Sequence, residues 1–239
     1  MTHVHLSGLT KSFGDRTVLD GVNFDVEQGE FVSVIGPSGS GKSTIFNMIA
    51  GLDTPDSGVV QAPESAYMPQ KDLLFPWRSV LDNTTLGLEV QGVDKKEARR
   101  RAQELFPVFG LDGYERARPA EMSGGMRQRA ALLRTVVQGR DVLLLDEPFG
   151  ALDSLTRTAM QGWLQNVWLT YRWTVLMITH DIREAVYLSD RVIVLSDKPT
   201  RVRRQVEVPL ARPRGLDVVT TPEFARIEAD LMDVLISSY

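Results

Sequence analysis

The eight residues Gly36-Pro37-Ser38-Gly39-Ser40-Gly41-Lys42-Ser43 lie between an apolar run, Phe31-Val32-Ser33-Val34-Ile35, and a helix-like stretch, Thr44-Ile45-Phe46-Asn47-Met48-Ile49. Strand, glycine-rich loop and helix in that order make an anion site. Glycines let the backbone turn tightly enough for successive N–H groups to point inward, and the helix N-terminus adds the positive end of its dipole. Lys42 then reaches the β- and γ-phosphates of a nucleoside triphosphate, and the Ser43 hydroxyl is placed to ligate Mg²⁺. A pattern with four fixed positions arises by chance in roughly one chain of this length in a hundred. A plain glycine-rich turn is the weaker reading.

Val142-Leu143-Leu144-Leu145-Asp146-Glu147-Pro148 reads as a buried strand ending in two adjacent carboxylates. Ligands of an open parallel sheet gather at the carboxyl ends of strands, so this pair can face the phosphates if its strand neighbours the one before the loop. The backbone turns away at the strand end. Asp146 can then enter the Mg²⁺ shell while Glu147 orients a water against the γ-phosphate. Further on, Met122-Ser123-Gly124-Gly125-Met126-Arg127-Gln128-Arg129 precedes the helical Ala130-Ala131-Leu132-Leu133-Arg134. A Ser-Gly-Gly turn opening a helix is a second anion site, made of backbone N–H groups and a hydroxyl. One chain needs one γ-phosphate cradle, so the second makes sense closing over the nucleotide of another subunit. Alone, an acidic pair reads as a turn and Ser-Gly-Gly as a helix start.

Taken in order, these motifs resemble the ATP-binding subunits of ABC transporters over nearly the whole chain. The resemblance implies an α/β P-loop NTPase cassette: a mainly parallel core sheet, an N-terminal antiparallel β subdomain and a helical subdomain. It equates Gly36 to Ser43, with Thr44 following, to the Walker A loop, and Asp146-Glu147 to Walker B. Gln70, in Met68-Pro69-Gln70, corresponds to the Q-loop and is implied in both the metal shell and water positioning. Ser123-Gly124-Gly125 corresponds to the signature, Asp153 in Ala151-Leu152-Asp153 to the D-loop, and His180 in Ile178-Thr179-His180-Asp181 to the switch histidine. Phe13 takes the place of the aromatic that stacks on adenine. From the residues alone, Phe13 could equally be core, and His180 a strand-end histidine satisfied by neighbouring backbone. Two positions depart from the commonest pattern: Met126 stands where Gln is usual, and Phe13 where Tyr is common. Neither change removes a phosphate-facing group.

The implied chemistry is ATP hydrolysis with Mg²⁺ by a head-to-tail pair, in which Glu147 activates water and His180 and Gln70 position it. The implied partners are a second ATP-binding subunit, taken as an identical chain, transmembrane permease subunits and a solute-binding protein. That places the chain peripherally on the cytoplasmic face of the cell membrane. Composition agrees. A chain of 239 residues, 43% hydrophobic and 24% charged, can bury a proper core as one ATP-binding domain over 1–239. The helical subdomain is expected at about 71–135 and a short tail at about 200–239. No apolar run approaches the ~20 residues that span a bilayer, and His3, His5 and Lys11 interrupt any leader-like start. Zero cysteines exclude disulfide frameworks, and a net charge of −4 argues against nucleic acid as a partner. The competing class is a soluble ABC-type ATPase of translation or DNA maintenance. The single Gly-Lys-Ser loop and the short segment between Lys42 and Ser123 speak against paired cassettes and coiled-coil inserts; an intact Glu147 speaks against a non-hydrolysing sensor.

Local patterning fills in the rest. Met1 to about Asp25 alternates as strand with a turn at Gly14-Asp15. Helices are expected over Leu86 to Gly92, Asp94 to Phe106 with Asp94 and Glu97 as a capping pair, and Leu155 to Tyr171. Arg201 to Val208 is strand-like, Arg212-Pro213-Arg214-Gly215 reads as a linker, and Thr221-Pro222-Glu223 starts a terminal helix. Lys95, Lys96, Arg99, Arg100 and Arg101 make a solvated face, interleaved by Glu97 and Glu104. Trp163, Leu164, Val167, Trp168 and Tyr171 form a core stripe, and the methionines fill gaps. Leu73-Leu74-Phe75-Pro76-Trp77-Arg78 follows Gln70 directly, and Trp77 is either a buried anchor or a contact for something that moves. This loop, with Asp82-Asn83, resembles the importer branch for nitrate, sulfonates, taurine and pyrimidine precursors of thiamine, where such a groove receives a permease helix.

Overall fold

A computed structural model describes residues 1–236. Two strand patterns give two sheets. β1 (Thr2–Phe13) and β2 (Arg16–Glu27) turn at Gly14-Asp15 and bury one face only, through Val4, Leu6 and Leu9 on one strand and Val22, Phe24 and Val26 on the other. With β4 (Ser57–Gln61) they form an antiparallel sheet in the order β2-β1-β4. By contrast β3 (Phe31–Ile35), β6 (Val142–Asp146) and β7 (Thr174–Ile178) are buried at every residue, as strands covered on both faces must be. They join β5 (Ser65–Met68), β8 (Arg191–Leu195) and β9 (Val202–Glu207) in the order β5-β6-β7-β3-β8-β9, parallel except for β9.

Alternation along the buried strands divides the core in two. Val32, Val34, Leu144 and Leu176 pack with the antiparallel sheet and with Ile45 and Phe46 of α1 (Lys42–Ile49). Phe31, Ile35, Leu143, Val175 and Met177 face the other way, toward α5 (Gly124–Val136), α6 (Ser154–Tyr171), α7 (Ile182–Leu188) and α8 (Pro222–Ile236). Between β5 and β6 come the short α2 (Val80–Thr84) and α3 (Leu86–Val90), then α4 (Lys95–Leu105). Asp94 caps α4, accepting from the N–H groups of Lys96 and Glu97, while the Glu97 carboxylate pairs with Arg100 and Arg101 instead of closing a capping box. Arg99 pairs with Asp82 at 2.6 Å, and the run from Lys95 to Arg101 lies largely exposed on the surface, as expected of a solvated face. In α6, Leu164, Val167 and Trp168 are buried, whereas Tyr171 is exposed and stacks on Trp173 with ring centroids 4.7 Å apart.

β7 lies between β6 and β3, so the two strands are not neighbours, yet Asp146 at the end of β6 still reaches Ser43 at 2.9 Å. Arg212-Pro213-Arg214-Gly215, expected as a linker, is not one. Arg214 is 3% exposed, and its guanidinium donates to the carbonyls of Val186, Tyr187, Ser189, Val208 and Leu210. It fastens the segment before α8 to the C-terminal turn of α7, where cations are favoured. Thr221 caps α8, accepting from the Phe224 N–H at 3.3 Å.

Candidate nucleotide site

Four neighbouring parallel strands each deliver one piece of the site. In the order β3, β7, β6, β5, their carboxyl ends lead into Gly36, His180, Asp146-Glu147 and Gln70, the place where open α/β sheets bind ligands. The interposed β7 thus adds His180 to the row. Gly36, Ser38 to Thr44, Gln70, Glu147 and His180 line a cleft of about 770 Å³. Phe13 lines it too and is 53% exposed at the tip of the β1–β2 hairpin, which removes the core reading.

The loop is braced from inside and outside. Lys42 is 8% exposed, and its Nζ donates to the carbonyls of Gly36 (2.9 Å) and Pro37 (2.8 Å) and to Ser40 Oγ (3.4 Å). Burial pushes the Lys42 pKa down, opposed by the charges of Glu147 and Asp146. Thr200 Oγ1 donates to the Ser40 carbonyl at 2.7 Å from the loop that follows β8. Gly41 has φ +84°, and a Cβ there would sit 2.8 Å from Val18 Cγ1 and 2.9 Å from Leu19 Cδ2. Only glycine lets α1 start this close to β2.

Asp146 and Glu147 occupy different environments. Asp146 Oδ2 accepts from Ser43 Oγ at 2.9 Å and from the Tyr67 hydroxyl at 3.0 Å. Burial raises its pKa, against the bonds from Ser43 and Tyr67 that hold it down. Glu147 has φ +46°, a left-handed conformation costing a bulky residue on the order of 1–3 kcal/mol, while its N–H donates to the Ile178 carbonyl at 2.9 Å. Its Oε2 accepts from Gln70 Nε2 at 2.8 Å and lies 3.4 Å from His180 Nδ1. The ring of His180 is 64% exposed toward the cleft it lines. Gln70 and His180 therefore converge on one carboxylate oxygen of a residue that lines the cleft with them.

The remaining expected residues stand apart. Ser123 Oγ accepts from the Met126 N–H at 3.3 Å and caps α5. A Cβ on Gly125 would lie 2.8 Å from Thr156 Cγ2, so the glycine lets the starts of α5 and α6 touch. Gly124 lines a second depression of about 510 Å³ with Asp72, Arg127, Leu152 and Gln70, the last of which lines the cleft as well. Asp153 caps α6 through the Thr156 N–H at 3.1 Å. Neither Ser123-Gly124-Gly125 nor Asp153 is among the cleft-lining residues. Conversely, Tyr67, Val18, Lys198 and Thr200 belong to no sequence motif, yet Val18 and Lys198 line the cleft, Tyr67 meets Asp146 and Thr200 braces the loop. Tyr67 alone carried a signal, since β5 runs directly into Gln70.

The Trp77 loop is preformed. Asn83 is fully buried; its Nδ2 donates to the carbonyls of Phe75, Arg78 and Ser79, and its Oδ1 accepts from the Phe75 N–H at 2.6 Å. Trp77 stacks on Phe75 with ring centroids 5.0 Å apart and is 67% exposed, so it is not a buried anchor. A wider depression of about 1270 Å³ runs alongside α2 and α4, lined by Asp82, Glu97, Arg99 and Arg100 among others. It shares no lining residue with the cleft at the phosphate loop.

Residues 19–150 match the sequence profile described as ABC transporter. This chain belongs to the ABC transporter family. It is 43% identical over 224 residues to the formylaminopyrimidine import ATP-binding protein ThiZ of Halalkalibacterium halodurans, covering 92% of this chain and 90% of that one. Against the aliphatic sulfonates import ATP-binding protein SsuB 1 of Rhodococcus jostii it is 49% identical over 216 residues, covering 87% and 84%. Among solved structures, a dimeric bacterial ABC transporter cassette superposes with a TM-score of 0.75 at 30% identity, covering 87% of this chain and all of that one. The same cassette in a post-hydrolysis state with ADP and Pi matches equally well. The ABC ATPase fold expected from the motifs is therefore the fold observed.

Proposed function

We propose that the chain hydrolyses ATP at the cleft between Gly36 and His180 and thereby energises a membrane ABC importer. The convergence of Gln70 and His180 on Glu147, beside the Lys42 loop, carries this reading. In it, one ATP-binding domain spans 1–239, with its helical subdomain at about 71–135 and its tail at about 200–239. The backbone N–H groups of Gly36 to Thr44 cradle the phosphates, Lys42 reaches their β- and γ-oxygens, and Phe13 stacks on adenine. Glu147 accepts the proton of the attacking water, held by Gln70 and His180. Ser43, Asp146 and Gln70 would hold Mg²⁺. Their oxygens suit that hard cation, and among the described residues no group of three or more His, Cys, Asp or Glu gathers to form an all-protein cage. Bound there, it would neutralise charge developing on the phosphates.

Ser123-Gly124-Gly125 and Asp153 lie outside the cleft of their own chain, which fits their serving the nucleotide of a second, identical subunit. A mixture of Ser123→Arg and Lys42→Ala chains then contains mixed dimers with one intact composite site, and ATP hydrolysis is expected to return to a fraction of the wild-type rate. Proven mixed dimers as inactive as either parent, together with failure of Ser123 to cross-link to the opposite loop, would count against shared sites.

Relatives named for the import of formylaminopyrimidine and of aliphatic sulfonates support the importer reading; in it the solute is small and anionic or heterocyclic, such as nitrate, a sulfonate, taurine or a pyrimidine precursor, and the partners are permease subunits and a solute-binding protein. Among the described residues no helix is long and apolar enough to cross a membrane, in keeping with a peripheral place on its cytoplasmic face. The exposed Trp77, stacked on the half-buried Phe75, is the permease contact. Trp77→Ala is expected to shift the melting temperature of the free subunit by less than ~2 °C, as a surface change does, and to leave its ATP hydrolysis intact. Copurification with the permease is expected to fall at least ten-fold; a large loss of stability with assembly retained refutes the contact.

A further inference from the structure

We propose that the Tyr67 hydroxyl positions the Asp146 carboxylate for the divalent cation of the nucleotide site. The inference rests on the cation site proposed above and adds a residue to it. β5 pairs in parallel with β6, Tyr67 opposite Leu144. From there its long side chain leans along the strand to the end of β6, where its hydroxyl donates to Asp146 Oδ2 at 3.0 Å. Ser43 Oγ donates to the same oxygen at 2.9 Å. One carboxylate oxygen thus receives a donor from the phosphate loop and a donor from the neighbouring strand.

The two donors differ in what they can do. The Ser43 hydroxyl has lone pairs to offer a cation while its O–H donates to Asp146. Tyr67 offers only its proton to the carboxylate and is itself fixed. Its ring meets the fully buried Phe46 of α1 edge to face, with centroids 6.4 Å apart at 77°. The aromatic pair locks the hydroxyl's reach, and the hydroxyl locks the carboxylate's rotation. A partner of this kind outside the ligand set commonly governs metal affinity by ten-fold or more. The next residue, Met68, ends β5, and two residues beyond it Gln70 meets Glu147. The end of one strand therefore orients both carboxylates of the next.

The test uses Tyr67→Phe, which deletes one hydroxyl and keeps the ring on Phe46. Mg²⁺ is titrated into the full chain at a fixed concentration of a non-hydrolysable ATP analogue, and binding of the analogue is also measured in EDTA. The variant is expected to need on the order of ten-fold more Mg²⁺ for half-maximal tightening, with the same affinity in EDTA and the same melting temperature. A variant with the wild-type Mg²⁺ midpoint overturns the role of Tyr67 while leaving the cation site standing. Equal loss in EDTA and in Mg²⁺, accompanied by a lower melting temperature, overturns it in favour of packing. A wild-type chain whose analogue binding ignores Mg²⁺ removes the cation site itself.

Discussion

Glu147→Gln is expected to lower ATP turnover by at least ~100-fold, the scale of a lost general base, while leaving nucleotide binding intact. The substitution is nearly isosteric, and Gln tolerates the same backbone. What changes is the acceptor: an oxygen that receives Gln70 Nε2 and faces His180 Nδ1 becomes part of an amide that cannot take a proton from water. Lys42 and the loop carbonyls that hold it are untouched. ATP-bound dimers are therefore expected to accumulate, visible as a doubling of apparent mass in gel filtration run with ATP. Turnover near the wild-type rate would remove Glu147 from the chemistry.

Arg214→Ala is expected to lower the melting temperature by on the order of 10 °C. The guanidinium serves five carbonyls in a site closed to water, and its removal leaves buried acceptors unpaired at ~1–3 kcal/mol each before relaxation. A total of ~3–5 kcal/mol, at about 2–4 °C per kcal/mol for a chain of this length, gives the stated shift. Burial lowers the Arg214 pKa to about 10, so it remains charged at neutral pH. Arg214→Lys keeps the charge but has three donors, and an intermediate shift is expected. Thermal melts of the three proteins decide the matter; an alanine variant within 2 °C of wild type would make the segment the linker its sequence resembles.

That segment illustrates where sequence ceases to inform. Arg212-Pro213-Arg214-Gly215 has the composition of a solvated connector, and nothing local reveals that the C-terminal carbonyls of α7 wait for its guanidinium. The phosphate loop and the Asp146-Glu147 strand end were legible because each is a contiguous run whose chemistry is local. Strand order was not. β3, β6 and β7 are equally apolar, and an apolar strand carries no mark of which neighbour it pairs with, so β7 went unplaced between the other two. Tyr67 escaped for a related reason: its hydrogen bond depends on register with β6. Asn83 stands out in the sequence only through a resemblance, yet its four bonds brace Phe75, Arg78 and Ser79, the turn that carries Trp77. Phe13 and Trp77 were each ambiguous between core and surface, a question of exposure that only the packed chain answers.

The central position of β3 also bears on how the chain acquires its shape during synthesis. β3 pairs with residues 175–178 on one side and 191–194 on the other, both made long after the phosphate loop leaves the ribosome. Until then the apolar strand Phe31–Ile35 has neither edge partner, and contacts this distant in sequence form slowly. Nascent chains shorter than about 195 residues are thus exposed to strand-mediated aggregation and have no assembled ATP site. Nucleotide can stabilise this protein only once nearly all of it has been made.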